Sequence, residues 1–406
     1  MDGLNTLGVQ IDPREQALRK LYDEARRLGV LSQRAELRMF ESLLREFDSD
    51  LFVVLRERVE RAQRLDFLCP RPLDKHLPLP DEAAGEIRIG TVVGGGEYGI
   101  SSSERHIGVF GTTGAGKSVL NRMLMKHFIR SGRPCVIFSK KRGDAHSIAS
   151  LFPDRVVVFR LADKDFRYNP LEGGPGITLT QAHSDFTESF CQAMRLMEAS
   201  SEYTLWCISQ LIERLGTHDH PERLPGILEL YRLVAGMKHL PTGREAQYHQ
   251  AVHTRLRGML SFLGEVFYCS KGFPIEQALL DGWSIVLETD GIKEEIALFV
   301  TINITLRLFS WMLNPDALKP VGGICLFLDD SQEIFNINLE RRREESLPLM
   351  PMMAARFRQA GILIASVQVP SLTSLLLRQN LGTTIILVTA GGPFSYIGGW
   401  SHRAMK

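Results

Sequence analysis

The chain has 406 residues, a length that usually corresponds to about two or three domains, so a large buried core is available. Apolar residues make up 44% of the chain and charged residues 23%, which is typical of soluble globular proteins and excludes disordered and collagen-like classes. The formal net charge is only +1, so any contact with nucleic acid must come from a local basic surface.

The amino terminus has no basic stretch followed by an apolar run, and no uninterrupted apolar stretch of about 18 residues occurs elsewhere. We therefore expect a cytoplasmic protein that does not insert into a membrane by itself. The six cysteines are scattered, without CxxC pairs or histidines at metal-ligand spacing, and we interpret them as buried free thiols.

The first part of the chain is predicted to be helical. Between about Arg14 and Arg64, apolar residues recur at three- and four-residue spacing, which predicts two or three amphipathic helices. Several prolines between 69 and 80 cannot continue a helix and mark a boundary. The sequence thus predicts a helical amino-terminal module over 1–68 and a linker over 69–86.

Strand and helix signals alternate from residue 87 to residue 390, with one interruption. The predicted strands are 87–93, 107–110, 135–138, 156–159, 284–287, 324–328, 362–366 and 384–388. Between 177 and 267 the apolar spacing is helical instead. We therefore expect an open, mostly parallel α/β sheet formed by 87–176 and 268–390, with an all-helical insertion over 177–267 and a tail over 391–406.

The segment 111–118 reads GTTGAGKS and fits the pattern GxxxxGK[ST] between a predicted strand and a predicted helix. In this pattern backbone N–H groups curl around phosphates, the lysine reaches the β- and γ-phosphates, and the hydroxyl holds magnesium. The helix that follows directs its positive end at the phosphates. A glycine-rich turn without a ligand is the alternative. The residues expected to bind ATP are Gly111, Thr112, Thr113, Gly114, Ala115, Gly116, Lys117, Ser118 and Val119.

Two adjacent acids follow the apolar run ICLFL at 324–328. A phosphoryl-transfer site needs a carboxylate for magnesium at the end of a buried strand and a group that orients the attacking water. We expect Asp329 to hold Mg²⁺ together with Ser118, and Asp330 to act as the general base. Two acids that cap a strand in solvent are the structural alternative, and Glu333 is an alternative base.

Several separate blocks between 87 and 388 resemble the HerA/FtsK superfamily of ring-forming DNA motors, which includes HerA-type helicases and conjugative coupling-protein ATPases. The blocks are RHIGVFGTTGAGKS at 105–118, NPL at 169–171, GWSIVL at 282–287, RQAG at 358–361 and SVQVP at 366–370.

The resemblance implies a RecA-like P-loop NTPase fold and two further site residues. Gln368 would sense the γ-phosphate, and Arg358 would be an arginine finger that reaches the nucleotide of a neighbouring subunit, with Arg356 as an alternative finger. Taken alone, Arg358 could be a solvated arginine on a helix, and Gln368 could be an amide at the end of a strand. Their joint order and spacing after Asp329 favour roles in the nucleotide site. A finger in trans requires a ring, and we expect a homo-hexamer.

The sequence differs from the superfamily pattern in features that include the following. Asp330 stands where glutamate is usual, and its side chain is one methylene shorter, which leaves the rate of hydrolysis open. The segment 139–144 reads SKKRGD where the superfamily has DPKGD. The first 66 residues are predicted to be helical, whereas HerA-type motors begin with a β-barrel and membrane-bound coupling proteins with transmembrane helices.

The expected function is an ATP-dependent motor that moves along DNA without sequence preference, in DNA processing, transfer or defence, with a nuclease or another effector as partner. Lys140, Lys141 and Arg142 are candidates for contacting DNA in a central pore. Two alternatives remain open from sequence. One is a nucleotide-gated assembly scaffold with weak or no hydrolysis, and the other is a secretion-system ATPase that moves protein.

Overall fold

The computed structural model describes residues 13–27, 34–45, 47–68, 85–91, 97–101, 106–143, 146–217, 220, 223–237, 243–337, 349–358 and 361–387. The described residues up to 68 belong to one compact unit, and those from 85 to 387 belong to another. Most of the predicted linker and all of the predicted tail lie outside the described residues.

The described part of the amino-terminal unit contains three helices. They are α1 (Pro13–Arg27), α2 (Arg34–Arg45) and α3 (Ser49–Leu68). Asp48 caps α3, because its carboxylate accepts hydrogen bonds from the N–H groups of Asp50 and Leu51. The helices share a small apolar core made of Leu18, Leu21, Ala25, Phe40, Leu43, Leu55 and Val59. These helices occupy the region where the apolar spacing predicts them.

The larger unit contains a seven-stranded sheet with the order β5-β6-β4-β7-β8-β3-β9, and all neighbouring strands run parallel. The strands are β3 (His106–Gly111), β4 (Cys135–Ser139), β5 (Val156–Arg160), β6 (Ser284–Glu288), β7 (Ile324–Leu328), β8 (Gly361–Val367) and β9 (Thr383–Leu387). A separate antiparallel hairpin contains β1 (Ile87–Thr91) and β2 (Glu97–Ile100). The predicted α/β fold with a mostly parallel sheet is confirmed.

Helices connect the parallel strands, as a parallel sheet requires. They are α4 (Lys117–Arg130), α5 (His146–Leu151), α6 (Leu179–Ala193), α7 (Ala199–Leu215), α8 (Ile227–Ala235), α9 (Arg244–Phe267), α10 (Ile275–Leu280), α11 (Glu294–Leu313), α12 (Leu349–Phe357) and α13 (Leu375–Asn380). The helices α6–α9 follow one another between β5 and β6, which is where the sequence predicts an all-helical insertion.

Both faces of the sheet are buried, because successive side chains of a strand point to opposite faces. In β7, Leu326 and Leu328 belong to the large core that also contains α11, whereas Cys325 and Phe327 belong to the core against α4. Burial on both faces explains why the strands read as continuous apolar runs.

One helix in the described part of the chain, α11, is long and apolar enough to cross a membrane by length and composition. It is buried for 83% of its apolar window, and Phe299 and Trp311 on it are fully buried. A helix of this kind, packed inside the fold, is typical of the core of a soluble protein.

His106, at the start of β3, joins three elements. Its side chain is fully buried. The Leu363 N–H of β8 donates to His106 Nδ1 at 3.2 Å, so Nε2 carries the proton and donates to the Ala354 carbonyl of α12 at 2.7 Å. The Phe357 ring of α12 stacks on the imidazole. His106 therefore fixes the last turn of α12 at the beginning of β3.

We expect His106→Ala to lower the free energy of unfolding by about 2–4 kcal/mol, since it removes a buried ring and leaves two buried backbone groups without partners. Chemical denaturation of the full chain measures this. The half-buried His127 on α4 provides a control, because His127→Ala should have a clearly smaller effect. Equal effects of the two substitutions would contradict the structural role of His106.

Candidate nucleotide site

The predicted site residues other than the two arginines meet at one edge of the sheet. Parallel strands end at a common edge, and the order of the strands places β8 between β3 and β7. The phosphate loop 111–118 follows β3, Gln368 follows β8, and Asp329 and Asp330 follow β7. Ligands of open α/β sheets bind at this carboxyl edge.

The phosphate loop has the backbone conformation that its glycines permit. Gly114 and Gly116 have φ values of 83° and 98°, in the left-handed region that side chains disfavour. A Cβ atom at Gly111 would lie 2.9 Å from the Leu387 carbonyl oxygen of β9, so this position also requires glycine. The tip of the loop, from Thr112 to Gly114, is exposed to solvent.

The Lys117 ammonium is directed at the loop itself. Its Nζ donates hydrogen bonds to the carbonyl oxygens of Gly111 at 2.6 Å and Thr112 at 3.1 Å. Burial lowers the pKa of Lys117, and the carboxylates of Asp330 and Asp329 oppose this shift. The lysine thus lies close enough to both acids to interact with them electrostatically.

Asp330 and Gln368 are in direct contact. Gln368 Nε2 donates to Asp330 Oδ1 at 3.0 Å. Asp330 has a φ of 52°, a left-handed conformation that aspartate tolerates better than most residues. The backbone conformation of Asp330 and this hydrogen bond together fix where its carboxylate lies.

The residues at this edge fit a magnesium ion. Magnesium prefers oxygen ligands and is usually bound through one or two protein groups together with phosphates. The Ser118 hydroxyl begins α4, and the half-buried Asp329 carboxylate ends β7. Lys141 Nζ donates to Ser118 Oγ at 3.3 Å. The hydroxyl oxygen therefore faces a position that accommodates positive charge. Ser118 and Asp329 are therefore the groups that could hold Mg²⁺.

Arg356 and Arg358 lie at the opposite edge of the sheet. They occupy the end of α12, just before β8 begins, and both side chains are exposed. Register pairs His106 with Leu363 at that edge, and Gly111 lies a strand length further on. At about 3.3 Å per residue, this separation is roughly 17 Å. Neither arginine reaches the phosphate loop of its own chain.

Glu333 lies next to the aspartates but interacts with other groups. It lines a small pocket together with Asp329, Asp330 and Lys140. Burial raises the pKa of Glu333, the adjacent Glu294 raises it further, and Lys140 opposes the shift. Glu333 thus faces a second carboxylate, whereas Asp330 is the acid that contacts Gln368.

Glu288, which the sequence analysis did not select, anchors the loop after β4. Its carboxylate is 2% exposed, and it accepts from Gly143 N at 3.0 Å and pairs with Arg160 Nε at 3.1 Å. Glu288 and Arg160 face each other in the β5–β6 register. The sequence signal for this role is the acid at the end of the apolar run SIVLE. A carboxylate at the end of a buried strand needs hydrogen-bond or ion-pair partners, and so it predicts an anchoring contact.

The NPL block has a structural role in this chain. The fully buried Asn169 side chain donates to the carbonyl oxygens of Pro225 at 3.0 Å and Ser270 at 2.7 Å, and it accepts from Leu171 N at 3.0 Å. Asn169 therefore joins the segment after β5 to the helical region and to the segment before β6.

Comparisons with known proteins bear on the family and the fold of this chain. A family model described as "Helicase HerA, central domain" matches residues 87–253, a segment that contains the phosphate loop but ends before Asp329 and Gln368. A search of curated proteins gave no match.

Among solved structures, VirB4 of Thermoanaerobacter pseudethanolicus has a TM-score of 0.56 at 15% identity, and the alignment covers 76% of this chain and 85% of that one. The plasmid coupling protein TrwB in complex with the ATP analogue ADPNP has a TM-score of 0.48 at 17% identity, with 78% and 81% covered. TrwB in complex with ADP and Mg²⁺ has a TM-score of 0.47 at 18% identity, with 75% and 76% covered. At this identity, the likeness to VirB4 shows a common fold.

The parallel sheet and the phosphate loop at its carboxyl edge define a RecA-like P-loop NTPase fold. Within that class, residues 87–253 resemble the central domain of helicase HerA. The resemblance inferred from the separate sequence blocks agrees with this match.

We expect Glu288→Ala to lower the free energy of unfolding by about 2–4 kcal/mol, because it removes the acceptor of the half-buried Gly143 N–H and the buried partner of Arg160, which then keeps its ion pair with Asp163. Chemical denaturation measures the change. Glu265 is the matched control, since its 2.7 Å pair with Lys164 is exposed to solvent and Glu265→Ala should leave stability unchanged. If both substitutions have the same effect, Glu288 does not anchor the loop.

Proposed function

We propose that this chain is an ATP-dependent motor that moves along DNA as a hexameric ring. The observation that carries the proposal is the hydrogen bond of 3.0 Å between Gln368 and Asp330, at the edge where Lys117 also lies. It supports a site in which the candidate sensor and the candidate base act together, as ATP hydrolysis requires.

In the proposed site, the phosphate loop would bind ATP, and Ser118 and Asp329 would hold Mg²⁺. The ion, when bound, would neutralise negative charge on the phosphates. Lys117 exchanges its two loop carbonyls for phosphate oxygens, which is favourable because an ammonium binds an anion more strongly than neutral carbonyls. Asp330 accepts a proton from the attacking water, and Gln368 connects this acid to the γ-phosphate.

Arg358 supports a shared site. An arginine can neutralise charge on the transferred phosphoryl group. However, Arg358 lies where the strands begin and its own phosphate loop lies where they end, so the length of the strands separates the two. Arg358 can contribute to hydrolysis only if the phosphate loop of a neighbouring subunit lies next to it. The proposed ring provides this arrangement, with the finger of one subunit acting on the nucleotide of the next.

The proposal that the substrate is DNA rests on the family match. The matched family is described as a helicase, a class of enzymes that acts on nucleic acid. Contacts of a ring with the DNA backbone are independent of sequence and sensitive to salt. A motor of this kind works in the cytoplasm with a nuclease or another effector protein as partner.

Asp330 favours one alternative function. Its side chain is one methylene shorter than that of the usual glutamate, and Gln368 donates a hydrogen bond to it, so the carboxylate would reach less far towards an attacking water. A chain in which this distance prevents hydrolysis would be a nucleotide-gated assembly scaffold. A motor that moves protein is the third candidate, and it would hydrolyse ATP without a response to DNA.

We expect the full chain to hydrolyse ATP faster when double-stranded DNA is added, and Lys117→Ala to reduce the rate by about a hundredfold or more, because it removes a charge-assisted phosphate contact. Steady-state phosphate release at ring-forming concentrations measures both effects.

Each of the other outcomes identifies an alternative. A wild-type rate equal to that of Lys117→Ala, with ATP still bound, contradicts the motor and leaves the scaffold. Hydrolysis that requires Lys117 but is unaffected by DNA contradicts the DNA substrate.

We expect Arg358→Ala to reduce hydrolysis by about a hundredfold or more without weakening nucleotide binding, because the finger stabilises only the transition state. Arg356→Ala, the control on the same helix end, should keep most of the activity. Since Lys117→Ala subunits retain Arg358, mixing them with Arg358→Ala subunits should restore activity in mixed rings. An Arg358→Ala chain with the wild-type rate would contradict the finger.

A further inference from the structure

We propose that Lys141 is a second phosphate-binding lysine of the nucleotide site, and that it allows the site to retain a nucleoside triphosphate in the absence of a divalent cation. This inference rests on the proposed binding of ATP and concerns a residue to which neither the motif nor the family match gives a role. Its starting point is the distance of 3.3 Å between Lys141 Nζ and Ser118 Oγ.

The backbone of Lys141 is fixed by the residue that ends β4. Ser139 Oγ donates to the Lys141 carbonyl oxygen at 3.1 Å and accepts from Lys141 N at 3.3 Å. Ser139 itself is buried, and its carbonyl oxygen accepts from Thr289 N at 2.9 Å. A small hydroxyl side chain can both donate and accept, so serine holds both polar groups of Lys141.

The other end of the loop is fixed by Glu288. Gly143 has a φ of 81°, which glycine adopts without strain, and its N–H donates to the buried Glu288 carboxylate. Lys141 therefore lies between two anchored residues, and its backbone has little freedom to turn away. A lysine in an unrestrained solvated loop would lack such anchors.

The side chain of Lys141 extends to the phosphate loop. Its Nζ donates to Ser118 Oγ, and Ser118 is the residue next to Lys117 in this loop. Two ammonium groups at one phosphate loop repel each other, and this repulsion costs free energy unless an anion lies between them. A triphosphate is the anion that the loop is shaped to bind.

The proposed role of Lys141 depends on whether Mg²⁺ is bound. A cation at Ser118 repels the lysine ammonium, so the hydroxyl cannot hold both. When Mg²⁺ binds with the nucleotide, Lys141 leaves Ser118 for a phosphate oxygen. When Mg²⁺ is absent, Lys141 stays and supplies positive charge at the same position. This geometry assigns Lys141 to the nucleotide site instead of the pore.

The test is the affinity of the full chain for a fluorescent, non-hydrolysable ATP analogue, measured in excess Mg²⁺ and in excess EDTA. We expect Lys141→Met to weaken binding about tenfold in EDTA and about threefold or less in Mg²⁺, because the ion replaces the lost charge. Lys141→Arg retains the positive charge and should recover most of the affinity in EDTA.

Arg142→Met is the matched control, since it removes the same charge from an exposed side chain one residue away. The proposal is overturned if Lys141→Met binds like wild type in EDTA, if Arg142→Met weakens binding equally, or if wild type does not bind in EDTA. If wild type does not bind the analogue even with Mg²⁺, the proposed ATP site itself is wrong, which is a separate outcome.

Discussion

The parallel direction of neighbouring strands is the constraint on which the site depends. Since all strands of the sheet end at one edge, the residues after β3, β8 and β7 share that edge although they are far apart in sequence. The position of β8 between β3 and β7 then places Gln368 against Asp330. A different strand order would leave these residues separated, whatever their identities.

A second constraint is the buried carboxylate of Glu288, which links the sheet to the loop beside the nucleotide site. It pairs with Arg160 on the neighbouring strand and accepts from Gly143 in the loop. Ser139 replaces the acid that begins the superfamily's block, and its hydroxyl bonds both backbone groups of Lys141. These contacts hold the basic segment beside the phosphate loop. They also explain the serine at position 139, because its hydroxyl can both donate to and accept from the backbone of Lys141.

Much of the fold could be predicted from sequence, because strands buried on both faces leave continuous apolar runs such as ICLFL before Asp329. The phosphate loop has a local sequence pattern and could also be predicted. The contacts of Glu288, of Asn169 and of Lys141 with Ser118 could not be predicted, since each depends on pairing between segments that are distant in sequence. The position of Arg358 at the opposite edge also required the strand register.

The central claim is that the nucleotide site is shared between subunits of a ring. The most direct measurement is electron microscopy of the full chain with and without a non-hydrolysable ATP analogue. We expect closed rings of six subunits with the analogue, a pore wide enough for duplex DNA, and the end of α12 from one subunit against the phosphate loop of the next. Particles that remain monomeric at every concentration, with the analogue bound, would contradict it.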